Sequence, residues 1–235
     1  MIPLYSLCTP SHRELRDGFF LPTLPRDFDL RMLDYEIEGA GWIMDASWRQ
    51  TIFRKIEWII EAIETNQNGW FVFSDVDIQF FGDIAAPLIA AAAKYDLAFQ
   101  VDTPIPTLCT GFFVCRANDA TLALWREVLE KVRACDGFKH EQEWMQRLIP
   151  AAKNVRWGYL PTTFFGGGTF TNQIWNPGDE LPLPAGIVMH HANFTCGVPN
   201  KVKQCEYVRG KVAASAPADG ATATPAKDPQ PFLHA

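Results

Sequence analysis

The residues whose spacing can do chemistry stand together between Trp70 and Ile84, in WFVFSDVDIQFFGDI. Asp75 and Asp77 are separated by one residue, so on an extended chain they lie on the same side. Two ionised carboxylates held close repel each other unless a cation sits between them. Hard divalent ions such as Mg2+ and Mn2+ take oxygen ligands and bridge carboxylates to phosphates. The pair therefore reads as a platform for a metal and a diphosphate. The same spacing also occurs in ordinary solvated loops. Position favours the site: the acids follow residues 70 to 73, an apolar run that suits a buried parallel strand. Ligands of open α/β sheets bind at the carboxyl ends of such strands.

The elements that must hold these acids can be read around them. Residues 2 to 8, IPLYSLC, predict a first strand, and Thr9, Pro10 and Ser11 turn the chain out of it. The first strand-to-helix turn of a nucleotide fold commonly faces the ligand. Thr9 and Ser11 thus either meet a nucleobase or ribose or cap a helix. Residues 18 to 27 read as loop, 28 to 35 as a second strand and 36 to 46 as a connection. From Trp48 to Glu64, Ile52, Phe53, Ile56, Ile59, Ile60 and Ile63 recur at helical spacing. Asp45 or Ser47 can cap this helix, and Asn68-Gly69 stops it. Its polar face carries Arg49, Gln50, Arg54 and Lys55. Arg49 or Lys55 beside a ligand would offset diphosphate charge; otherwise they form a solvated face.

Residues 85 to 94 predict a helix with Pro87 in its first turn. A strand over 95 to 101 ends at Asp102. Another covers 108 to 116, where Gly111 lets something large approach the backbone. Asn118 caps a helix running to Arg133, and His140-Glu141-Gln142 opens one running to Leu148. Residues 154 to 160 and 187 to 190 read as strands, the second leading into His191-Ala192-Asn193. Gly166-Gly167-Gly168 reads as a flexible loop and lacks the phosphate-loop pattern. The aromatic segment from Phe164 to Trp175 supplies either an acceptor cleft or core. Strands alternating with helices through residue 205 define an α/β domain over 1–212, with a central, mostly parallel sheet flanked by helices. From Ala213 the chain turns to Ala, Pro, Thr and Gly without periodicity, which predicts a disordered tail over 213–235.

Composition narrows the classes. The chain has 235 residues, 48% hydrophobic, enough for one sizeable core. A net charge of -6 argues against nucleic acid as a partner. There is no apolar run of membrane-spanning length, and the first residues lack the pattern of a signal peptide. The six cysteines form no C-x-x-C or zinc pattern. Free thiols in a reducing cytoplasm are the plainer expectation, with three disulfides in a secreted protein the alternative.

The run from Phe73 to Phe81, F-S-D-V-D-I-Q-F-F, resembles the D-x-D segment of GT-A glycosyltransferases, closest to the nucleotide-diphospho-sugar transferases. Three further features are similar. The amphipathic helix bearing Arg49 and Lys55 precedes the motif. Thr110 to Asn118 matches a G-F-x-x-x-R-x-N strand on the acceptor side. His191-Ala192-Asn193, then Gly197 and Lys201, resembles a late segment that closes over the diphosphate. The likeness spans about residues 48 to 205.

The resemblance implies a GT-A-like fold, a nucleotide-diphosphate sugar donor (a UDP-sugar favoured), Mn2+ or Mg2+, and a glycan or other hydroxyl acceptor. By the same resemblance Asp75 contacts ribose or metal and Asp77 ligates the metal. His191 is the third ligand, with His190 as the alternative; histidine suits Mn2+ better than Mg2+. Lys201 neutralises the leaving diphosphate, and Glu141-Gln142 match an acidic-Gln pair near the donor sugar. An inverting reaction needs a carboxylate base, for which Asp102, Glu141 and Asp136 are placed. The resemblance implies retention instead. Two alternatives stay open: a HAD-type phosphohydrolase, and a nucleotide-sugar or glycan-binding module without turnover. The phosphohydrolase motif continues D-x-D-x-[T/V], where this chain has Gln79.

Overall fold

The computed structural model describes residues 1–39, 46–135 and 139–215. β1 (Ile2–Cys8) leads into a chain of short turns: Pro10–His12, α1 (Arg13–Leu15), a π-helical turn Arg16–Phe20, and α2 (Leu21–Thr23). Then come β2 (Phe28–Asp34), α3 (Ala46–Thr65), β3 (Trp70–Ser74), β4 (Ile78–Phe80), α4 (Ala85–Lys94), β5 (Leu97–Val101) and β6 (Leu108–Arg116). α5 (Asp119–Ala134), α6 (Glu141–Leu148), β7 (Trp157–Tyr159), β8 (Phe164–Gly166), β9 (Met189–His191) and α7 (Val198–Ser215) complete the described elements.

Six strands form the main sheet in the order β2-β1-β3-β6-β5-β7. β1 runs parallel to β2 and β3, and β5 runs parallel to β7. β6 alone is antiparallel to its neighbours β3 and β5. The central sheet is thus mostly parallel and flanked by helices, as expected. Strand alternation sorts the core into two layers. Phe71 and Phe73 of β3 and Phe113 of β6 face Ile56, Ile59 and Ile63 of α3 and Trp125 of α5. Val72, Phe112 and Val114 face the other way, onto Leu88 of α4, Phe80, Phe164 and Met189. A small sheet, β4-β9-β8, therefore lies over the second face and brings β9 beside the end of β3.

Local chemistry sets several boundaries. Asn68 adopts the left-handed conformation, φ 66°, and ends the turn between α3 and β3. Asn118 and Thr121 form a reciprocal capping box at α5. Ser47 already lies inside α3, and Asp45 falls outside the described residues.

Some expectations need correction. The supposed loop over 18 to 27 contains part of the π-helical turn and all of α2. Burial of Phe19 and Phe20, the latter on Phe80 with centroids 5.9 Å apart, overrides the turn signals of Pro22 and Pro25. The strand over 154 to 160 narrows to β7. The Gly166-Gly167-Gly168 stretch begins inside β8 and is buried throughout. α7 has no counterpart among the expected elements, and it runs three residues into the stretch expected as tail. Residues 216–235 lie outside the described residues.

Candidate active site

β3 ends at Ser74, and the Asp75 amide donates to the Gly111 carbonyl at 2.7 Å, which continues the ladder by one step. The chain then turns sharply into β4, which pairs with β9 so that Ile78 opposes His191. This crossing of two sheets brings Asp75, Asp77 and His191 together. One ligand atom from each lies within 4.8 Å of the others. Gly111 makes room for them: a Cβ there would lie 2.7 Å from Asp75 Oδ2 and would overlap the His191 ring. The expected close approach at Gly111 is therefore the approach of two site residues.

His191 is oriented by a residue that the motifs did not name. The buried Gln100 amide donates from Nε2 to the Phe164 carbonyl at 3.2 Å, so its Oε1 faces His191 Nδ1 at 3.0 Å. Nδ1 therefore carries the proton. His191 Nε2 is left facing Asp77 Oδ1 at 3.3 Å. In the neutral ring that is a lone pair set against a carboxylate, an arrangement that a cation would relieve. His190 points the other way, fully buried between Gln79 and Gln204 at 3.2 Å from each. Burial lowers its pKa to about 3. Strand alternation thus makes His191 the site histidine and His190 a core one.

Two lysines neutralise the acids. Lys55 of α3 is buried, 3.0 Å from Asp75 and 3.1 Å from Glu141. Burial opposes its charge, but the two carboxylates win and raise its pKa. Lys201 of α7 donates to Asp77 Oδ2. Burial alone would push Asp77 up, yet Lys201 holds it well below the usual carboxylate range. Asp75 moves the other way, raised by burial and by Asp77 despite Lys55.

The other expected site residues divide. Thr9 lies with Lys55, Asp75, Asp77 and Lys201 on the wall of a cavity of about 500 Å3. Leu7, Trp48 and Ile52 add an apolar side to it. Glu141, Gln142 and Asp102 are not on that wall. Glu141 is buried under Lys55 and accepts from Thr110 Oγ1 at 3.1 Å; Lys55 and His140 hold it below the carboxylate range against burial. Gln142 donates to Asp102 at 2.8 Å, and Asn193 donates to the other oxygen of Asp102 at 2.7 Å. Arg49 turns away from the cavity and donates to the Cys135 carbonyl at 2.6 Å, beyond the end of α5. Asp136 falls outside the described residues. The glycine run serves the same wall. A Cβ on Gly166 would lie 2.9 Å from Asn193 Oδ1, and one on Gly168 would overlap Phe194.

A mixed α/β sheet thus ends in paired acids, a histidine and two lysines beside a cavity, a group of side chains that could hold a metal ion. Residues 43–205 match the family model of the nucleotide-diphospho-sugar transferases, and the chain belongs to that family of glycosyltransferases. No relative matches among the curated proteins. Among solved structures, the chain is similar to a glycosyltransferase involved in the glycosylation of the major capsid of PBCV-1. The two share 12% identity with a TM-score of 0.56, over 88% of this chain and 98% of that one. At that identity the likeness concerns the fold. The family favours the transferase over the phosphohydrolase alternative. Among the described residues no helix is long and apolar enough to cross a membrane.

Proposed function

We propose that the protein is a metal-dependent, retaining glycosyltransferase that moves a sugar from a UDP-sugar to a hydroxyl of a glycan or similar acceptor. The observation that carries this reading is the Asp75, Asp77 and His191 group beside the cavity. Two carboxylates and an imidazole make a mixed O/N donor set that fits Mn2+, and Mg2+ less well. When bound, such an ion supplies Lewis-acid stabilisation of the departing diphosphate. The chain's own residues do the rest. Asp75, Asp77 and His191 hold the ion, with Gln100 fixing the imidazole. Lys201 offsets charge on the diphosphate from the cavity wall. Leu7, Trp48 and Ile52 cover the nucleobase, and Thr9 meets the ribose.

Retention is supported by what faces the cavity. Among the described residues of its wall, the only carboxylates are Asp75 and Asp77, both committed to the ion. Asp102 and Glu141 act from behind, as supports of Asn193 and Lys55. All six cysteines are free, which supports a cytoplasmic location. The reading keeps 1–212 as the catalytic unit, with its last helix, α7, continuing three residues further to Ser215.

Calorimetry with UDP, GDP, CMP and their sugars, with and without Mn2+, tests the reading on wild type and Asp77→Ala. Metal-dependent binding of a uridine nucleotide that is lost in the variant, with turnover of its sugar, is expected. Failure of every nucleotide to bind with metal present would refute it. Binding without turnover would point to the sugar-binding module.

A further inference from the structure

The turn after β1 carries a histidine that neither the D-x-D nor the late H-x-N segment accounts for. Thr9, Ser11 and His12 all line the cavity. Pro10 begins the turn, and the His12 amide closes it onto the Thr9 carbonyl at 3.0 Å. Both hydroxyls then converge on one ring nitrogen. Ser11 Oγ lies 3.0 Å and Thr9 Oγ1 3.2 Å from His12 Nδ1, and the hydroxyls lie 3.1 Å from each other.

Each tautomer leaves one proton unused within the trio: the ring N–H at Nε2 when Nδ1 accepts, or one hydroxyl hydrogen when Nδ1 carries the proton. In the first arrangement Ser11 donates to the ring and Thr9 donates to Ser11 or the ring, both hydroxyls are satisfied, and the spare donor is the Nε2–H. The charged groups that act on the ring are Lys201 and Asp77, both on the wall of the same cavity. Burial, then Lys201, lower the His12 pKa to about 4 against the pull of Asp77, so the ring is neutral at physiological pH. Lys201 already supplies positive charge there. A neutral, pre-oriented N–H adds a directional contact without another buried cation to desolvate.

We infer that His12, oriented by Thr9 and Ser11, donates its Nε2 proton to a non-bridging phosphate oxygen of the nucleotide donor, beside Lys201. This rests on the nucleotide-sugar reading above and assigns one residue of the diphosphate contact.

The test uses the full chain with Mn2+, and two probes, UDP and inorganic pyrophosphate. Pyrophosphate has no base or ribose, so a contact to the nucleoside is invisible to it. His12→Phe keeps a ring and removes the donor. His12→Gln places an amide N–H near the lost Nε2 position. Hydrogen bonds to charged groups predict that His12→Phe weakens both probes by about tenfold to a hundredfold. His12→Gln should stay within a few-fold of wild type. Wild-type affinity in His12→Phe would overturn the inference. So would loss for UDP but not for pyrophosphate, which would put the contact on the nucleoside. Equal losses in both variants would overturn it too, because packing and not donation would then matter. Wild type that binds neither probe would refute the nucleotide-sugar reading itself, a distinct outcome.

Discussion

Gly111→Ala isolates the geometry of the site in one methyl group. Gly111 lies in β6 and its φ is outside the left-handed region, so alanine is compatible with the backbone. The conflict is between side chains. The new Cβ would stand 2.7 Å from Asp75 Oδ2 and closer still to the His191 ring. Ordinary van der Waals contact needs a retreat of about 0.7 Å by Asp75 and more by His191. Neither can retreat freely: Lys55 grips Asp75 at 3.0 Å, and Gln100 grips His191 at 3.0 Å. Overpacking of this kind costs about 1–3 kcal/mol of stability. Displacing two of the three residues proposed to hold the ion should lower Mn2+ affinity about tenfold to a hundredfold. A misplacement near 1 Å should lower kcat by roughly a hundredfold. Calorimetric titration of Mn2+ and a thermal melt measure the first two, and turnover of the donor measures the third. Gly82→Ala is the control, because its Cβ would meet Val188 at an ordinary 3.7 Å. If Gly111→Ala binds Mn2+ and turns over like wild type, then Asp75 and His191 do not hold the ion from these positions.

Other changes have distinct outcomes. Lys55→Met strands Asp75 and Glu141 without their shared cation. A loss of about 3–5 kcal/mol by urea unfolding is expected, part of it recovered by adding Glu141→Gln. Gln100→Leu frees the His191 ring and should weaken Mn2+ about tenfold or more, while Gln100→Glu, which keeps an acceptor at Nδ1, should retain most of the affinity. For pH, His12 is lowered from 6.5 to about 4 in the fold. Between these values the unfolded chain binds the proton and the native one does not. Stability is therefore full above about pH 6.5 and falls as pH drops towards 4, by about 3 kcal/mol for this residue. Urea unfolding at pH 7.5 and 4.5 should show a smaller drop in His12→Gln than in wild type.

The acids were legible because the sequence around them carries two independent signals, an apolar strand and a spacing that the strand converts into one face. The histidine was legible only as a pair. Alternation says that one of His190 and His191 points into the site. Which one depends on Gln79 and Gln204 on one side and Gln100 on the other, contacts 14 to 111 residues apart in the chain. Arg49 and Lys55 looked equivalent on one helix face. The neighbour decides between them, since α5 ends beside Arg49 and Asp75 lies beside Lys55. α7 did leave a trace. Val198, Val202, Cys205, Val208 and Val212 fall at helical spacing and pack inward, but Pro199, Gly210 and interleaved lysines obscure it. The glycine run misled because composition suggests freedom where close packing against Asn193 and Phe194 is the reason for glycine.

The two lysines are not interchangeable, and the difference follows from their partners. Lys55 has two carboxylates on it and a side chain only 9% exposed. Moving it would leave Asp75 and Glu141 to repel each other in a buried space. It is a fixed part of the acid cluster, present whatever the cavity holds. Lys201 has one carboxylate, Asp77, which it shares with His191, and its side chain is 21% exposed. It sits in the first turn of α7, just after Gly197 in the left-handed conformation. A cation between Asp75, Asp77 and His191 would take over the neutralisation of Asp77 that Lys201 now provides. The lysine released by that exchange lies on the cavity wall, where the charge of a diphosphate would be placed. The same exchange explains why Asp77 can be held so far below the ordinary carboxylate range before any ion arrives: the chain keeps a cation of its own against that oxygen.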